Sequence, residues 1–188
     1  MYFKKNIFLL LFSFTLLSAQ NNIGINLNNE DLEVSTSLNI NNTVESYADS
    51  TAYILDASYL HTDGNDLAAI GLSGENTFQG MENLAFGFGA KFIFTDDFMA
   101  VPLFAKANYL LPLDSSLPST YFTASFAYAP SVLSFIDAES YTEFRLEADI
   151  EIISNIHLFT GYRNIDTEYN THDKTFNDSF YGGMKLSF

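Results

Sequence analysis

From Glu143 to Glu151 every second residue is ionisable: Glu143, Arg145, Glu147, Asp149 and Glu151 alternate with Phe144, Leu146, Ala148 and Ile150, and Ile152 follows. Carboxylates and a guanidinium at that spacing are the materials of acid–base chemistry, of metal binding or of ion pairing. The neighbouring polar groups decide which. Two further couples bring catalytic residue types together, His61 with Asp63 and His172 with Asp173. A working couple needs a base within hydrogen-bond reach of a nucleophile and a third group to orient it. In a chain with 23 acidic residues, His and Asp fall side by side without such an arrangement. These four therefore read as solvated loop residues, and no residue is assigned a catalytic role. Asp63-Gly-Asn-Asp66 fits a hairpin turn better than a calcium loop, which wants a longer run of oxygen ligands closed by a bidentate Glu. His157 reads as an interior or interface residue. No metal site and no cofactor is expected, and with no cysteine in the chain, thiolate zinc sites and thiol nucleophiles are excluded.

The elements that carry these residues are strands. Alternation with period 2 marks strands that face two environments, and it recurs along the chain. In the stretch 84–94, Leu84, Phe86, Phe88, Ala90, Phe92 and Phe94 take one face, and Ala85, Gly87, Gly89, Lys91 and Ile93 take the other. Candidate strands cover 22–27, 32–40, 52–61, 67–76, 84–95, 98–111, 121–128, 142–152, 156–165 and 179–188. Many are longer than the usual 5 or 6 residues of soluble sheets and match a tilted membrane crossing. The fold class is therefore all-β, a transmembrane antiparallel up-and-down barrel of ten strands. Eight is the alternative if 22–27 is a plug or a swapped edge.

The start of the chain is read as a leader. Lys4 and Lys5 precede an apolar run from Ile7 to Leu17 and a small-residue end at Ala19. That is a secretory signal peptide over 1–19, with the barrel over 20–188. Its loss would take Lys4 and Lys5 with it and move the formal charge from -15 to -17. So acidic a chain is no partner for nucleic acid, which needs clustered Lys and Arg.

With apolar faces turned to lipid, the inward charges are Glu33, Asp56, Glu75, Glu143, Glu147, Asp149 and Glu151 against Lys91, Lys106, Arg145, Arg163 and Lys185. A barrel of eight to ten strands is only wide enough for side chains to fill it, and buried charges must be paired. A salt-bridged lumen is expected, with Arg163 reaching Glu143 or Glu147. The connections 28–31, 61–66, 95–97, 129–141 and 166–178 fall outside and hold much of the remaining acid; 112–119 and 153–155 fall on the periplasmic side. The segment 129–141 carries Val132, Leu133, Phe135 and Ile136, too apolar for a solvated tip. It is expected to extend its flanking strands or to fold into the mouth. The last strand, with Phe180, Met184, Leu186 and Phe188 on one face, resembles the assembly signal of bacterial outer-membrane barrels.

The segments Glu30-Asp-Leu-Glu-Val-Ser35, Phe78-Gln-Gly-Met-Glu-Asn-Leu84 running into Gly87-Phe-Gly-Ala-Lys91, Tyr128-Ala-Pro-Ser-Val-Leu-Ser-Phe135, Tyr141-Thr-Glu-Phe-Arg-Leu-Glu147 and Gly161-Tyr-Arg-Asn-Ile165 together resemble the YfaZ family of outer-membrane proteins. The resemblance covers nearly the whole chain after the leader except 41–51. It implies the outer membrane of a Gram-negative bacterium and a porin-like barrel, and it supplies no catalytic residue. The expected partners are outer-membrane lipid and lipopolysaccharide, with the barrel-assembly machinery meeting the C-terminal strand, and the expected state is a monomer. Two functions follow: a structural or interaction protein with acidic outer loops, or a narrow cation-preferring channel for small solutes.

Overall fold

Period-2 patterning becomes twelve strands in the computed structural model, which describes residues 21–43, 51–114, 116–169 and 173–188. The expected leader and most of the unmatched connection lie outside the described residues. The strands are β1 (Asn22–Leu27), β2 (Asp31–Asn39), β3 (Ala52–Thr62), β4 (Asn65–Phe78), β5 (Met81–Thr95), β6 (Phe98–Ala100), β7 (Leu103–Leu110), β8 (Thr120–Ala129), β9 (Ser134–Ile136), β10 (Ala138–Ile153), β11 (Ile156–Tyr169) and β12 (Asp173–Ser187).

Ten of them form one antiparallel wall in the order β4-β3-β2-β1-β12-β11-β10-β8-β7-β5, and β5 pairs back onto β4 to close it. Closure matters because lipid offers no partner to an open backbone edge. β1 is a full member: Ile25 pairs with Met184 on one side and Val34 on the other, so the eight-strand alternative is set aside. An outward row runs through the paired positions Val34, Ile25, Met184, Leu158 and Ile150. All five are exposed, as are Phe88, Leu103 and Phe180. Apolar side chains on the outside and charges on the inside invert a soluble fold and fit a lipid-facing belt.

Turn chemistry fixes the ends of the hairpins. Asp63 and Gly64 both have positive φ, 44° and 76°, the combination a two-residue type I′ turn requires. By the rule that both termini sit on the periplasmic side, this turn, the β1–β2 turn and the segment between β8 and β10 lie at the outer end.

Two expectations about the outer end change. The expected strand 98–111 is two, β6 and β7, broken at Val101-Pro102. Pro102 lacks an N–H for the ladder, the Val101 N–H turns to the Leu133 carbonyl (2.8 Å), and the Pro102 carbonyl accepts from Lys91 N–H (3.1 Å). The segment 129–141 does both things expected of it in part. Ser131–Leu133 make one 3-10 turn, β9 pairs with β6, and Leu133 packs against the mouth, while the other three apolar residues, Val132, Phe135 and Ile136, stay exposed. The acids expected in the loop 166–178 stand instead on β11 and β12, which run on to Tyr169 and start at Asp173.

Where the wall curves tightly, only glycine fits. A Cβ at Gly183 would collide with the Ile25 carbonyl oxygen and come within 2.6 Å of the Phe159 ring, whereas one at Gly182 would have no heavy atom closer than 3.8 Å. Gly183→Val is therefore expected to abolish the fast-migrating folded band on an unboiled gel, and Gly182→Ala to keep it.

Candidate functional site

The strand register collects the inward residues into layers. At the outer mouth Phe98, fully buried, sits under the wall of β6, with ring centroids 6.0 Å from Tyr141, 6.1 Å from Tyr169 and 6.3 Å from Phe176. Leu60, Leu67, Ile93 and Ile165 complete this apolar layer. Phe98 is held by a short local turn: Thr95 Oγ1 accepts from the Phe98 N–H (2.9 Å) and donates to its carbonyl (3.1 Å).

Beneath the plug, six alternating charges run across the lumen. Arg163, with no exposed surface, donates through Nη1 to Glu33 (2.7 Å), through Nη2 to Asp31 (3.3 Å) and through Nε to Asn177 Oδ1 (2.8 Å). Glu33 also receives a two-pronged donation from Arg145, at 3.0 and 2.9 Å. Arg145 Nε reaches Glu143 at 2.6 Å, and Glu143 accepts from Lys91 at 2.5 Å and from the Tyr141 hydroxyl at 2.6 Å. Asp31–Arg163–Glu33–Arg145–Glu143–Lys91 thus joins β2, β11, β10 and β5. Asp31 gathers further donors from Asn28, Asn177 and Ser179.

Nearer the periplasm a second group forms. Lys185 bridges Glu147 (3.0 Å) and Asp149 (2.8 Å), and His157 Nδ1 lies 2.7 Å from Asp149. Lys106 pairs with Glu75 across the lumen from it, at 2.5 Å. A cavity of about 290 Å³ lies among these charges, with Glu33, Lys91, Arg145, Lys106, Glu147 and Lys185 all in its lining.

A family model described as YfaZ precursor matches residues 6–188. The chain belongs to the YfaZ family. No curated protein matches this sequence. Among solved structures, it is similar to a NanC porin at 9% identity and a TM-score of 0.46, covering 91% of this chain and 99% of that one. It is similar to a KdgM porin described in complex with disordered oligogalacturonate at 7% identity and 0.42, covering 89% and 98%. A bacterial polysaccharide outer membrane secretin gives 11% and 0.45, with 84% of this chain spanning 56% of that one. The closed wall and the lipid-facing belt of this YfaZ-family chain place it in the bacterial outer membrane.

Several site residues stand elsewhere than expected. Arg163 meets Glu33 and Asp31, not Glu143 or Glu147. The register sets Arg163 directly opposite Arg145, so two like charges share a rung and each turns toward the carboxylate of β2. Glu151 joins no ion pair among the described residues; its Oε1 accepts from the Asn155 N–H (3.2 Å) and caps the β10–β11 turn. Asp31, expected in an outer turn, is buried in the network, and the turn of Asn28 onto it was not visible in strand alternation. His61 pairs with Asp66 at 2.7 Å rather than Asp63, and both side chains are about half exposed, 50% and 47%. His172 and the Asp173 side chain lie outside the described residues. Among the described residues no group of three or more His, Asp or Glu side chains is placed to hold a metal ion.

Breaking a buried pair by deleting one partner costs about 3–5 kcal/mol, because the other charge is left uncompensated. Glu33→Ala leaves Arg163 with Asp31 and Arg145 with Glu143 alone, and is expected to lower the unfolding free energy of the refolded barrel, read from its urea transition, by about 3 kcal/mol, the low end of that range. Glu151→Ala, which touches only a turn, is expected to leave the midpoint nearly unchanged.

Proposed function

We propose that this YfaZ-family chain is a closed, non-conducting and non-enzymatic outer-membrane barrel with a structural or interaction role. The observation that carries the reading is the filled lumen: the Phe98 layer at the mouth, then the Asp31-to-Lys91 chain of charges across the middle. Each cation of that chain already has a carboxylate within 3.3 Å, so an ion entering from outside would have to displace both an apolar layer and paired charges. Asp63, Asp66, Asp96, Asp97 and Asp137 give the outer rim an acidic character, which is the chemistry this reading offers to outside partners. Outer-membrane lipid and lipopolysaccharide surround a monomer, and the C-terminal strand, with Phe180, Met184 and Leu186 exposed, meets the barrel-assembly machinery.

A narrow cation-preferring channel is the second reading, supported by the polar cavity below the plug. It needs Phe98 to leave the mouth. Recording in a planar lipid bilayer separates the two. The parent protein is expected to be silent, and Phe98→Ala to give brief openings. Steady conductance of the parent that falls in Glu143→Gln or Glu147→Gln would overturn the closed reading.

A further inference from the structure

The cavity among the charged side chains is not symmetric. Its cations are all engaged: Lys91 by Glu143, Arg145 by Glu33 and Glu143, Lys185 by Glu147 and Asp149, and Lys106 by Glu75. None is left over for an anion. Asp56 is the exception among the carboxylates. It lines the cavity, and among the described residues it has no ion-pair partner and one side-chain donor, the Ser37 hydroxyl at 2.5 Å. An ionised carboxylate has about four acceptor sites, so most of its capacity faces the cavity. Ser35, Ser58, Thr123 and Ser125 line the same cavity, and their hydroxyls make no hydrogen bond among the described residues. At about 290 Å³ the space is near the lower end of the roughly 300–1,000 Å³ typical of small-molecule sites.

We infer that this cavity is a binding site for a small hydroxylated primary amine, with Asp56 taking the ammonium and the serine and threonine hydroxyls taking the ligand's own. Charge decides the class. An anion meets only cations already paired, and a neutral polyol can donate hydroxyls to Asp56 but leaves its charge without a counter-charge; a donor-rich cation satisfies both walls. The site goes beyond the closed-barrel reading and stands whether or not the mouth opens, because Leu67 of the apolar layer forms part of its ceiling and its polar lining is carried by the charged and hydroxyl residues beneath. Access from the outer end is blocked by Leu60, Ile93, Phe98 and Tyr141, all at 1% exposure or less, whereas Lys106 and Lys185 keep 26% and 23%. The ligand enters from the periplasmic end.

The chain has no cysteine, so Ser58→Cys places a single reporter thiol on the hydroxyl wall. The measurement is its alkylation rate by uncharged iodoacetamide in the refolded full-length barrel, with glucosamine, N-acetylglucosamine, glucose or glucuronate as competitor. Glucosamine is expected to protect at concentrations about tenfold lower than the neutral sugars, a difference of about 1.4 kcal/mol, and glucuronate to protect least. Adding Asp56→Asn is expected to erase the advantage of glucosamine while the heat-modifiable gel shift persists. Equal protection by glucosamine and glucose, or none by glucosamine, overturns the inference. If the double variant does not fold, glucosamine against N-acetylglucosamine on Ser58→Cys alone decides, since acetylation removes the charge and keeps the hydroxyls.

Discussion

Everything inside this barrel follows from the need to close its backbone. In lipid an unpaired strand edge is too costly to keep, so the wall must join its first strand to its last, and ten strands fix the bore. That bore is just wide enough for side chains to meet across it. Arg163 on β11 then reaches Glu33 on β2, and Lys91 on β5 reaches Glu143 on β10. The ion pairs are consequences of the closure rather than its cause. Once made, they are sheltered from solvent and from screening by salt, unlike pairs on a wet surface.

The two ends of the lumen are built on different principles. At the mouth, aromatic rings exclude water by shape, and the break at Val101-Pro102 lets β6 bring Phe98 over the opening. Toward the periplasm, hydroxyls and charges leave space and keep it polar. A single bore thus holds an apolar seal and a chamber walled by charges and hydroxyls. Burying charge beside an apolar layer is tolerable because each guanidinium is bound to two carboxylates, and Arg163 to the Asn177 amide oxygen as well.

Strand positions were legible in the sequence because a sheet with lipid on one side and a polar bore on the other imposes strict alternation. Phe86, Phe88 and Phe92 against Lys91, or Phe144 and Leu146 against Arg145, leave little freedom in facing. Partnerships across the bore were not legible. Alternation says that Arg163 points inward, but which carboxylate lies opposite depends on curvature and register around the whole ring. Asp31 was missed for a related reason: an acid next to Asn28-Asn-Glu30 looks like a turn, and only the depth of the β1–β2 hairpin turns it toward Arg163 and Asn177. The split of 98–111 had a visible signal in Pro102, a residue that cannot donate to a ladder. Ala100 and Phe98 kept the apolar pattern running across it.

β1 is only six residues long, yet it is the seam between β2 and β12, the parts of the wall farthest apart in sequence. Glu33 and Arg163 are separated by 130 residues and Asp31 and Asn177 by 146. Contacts so remote carry a large loop-closure cost before they give any return. Arg145 and Glu143, two residues apart on β10, can pair early, but Glu33 and Arg163 do not meet until the wall closes, and a half-assembled sheet leaves those two charges unmatched. The six rungs that join β1 to β12 are thus the seam on which the pairing of the most distant interior charges depends.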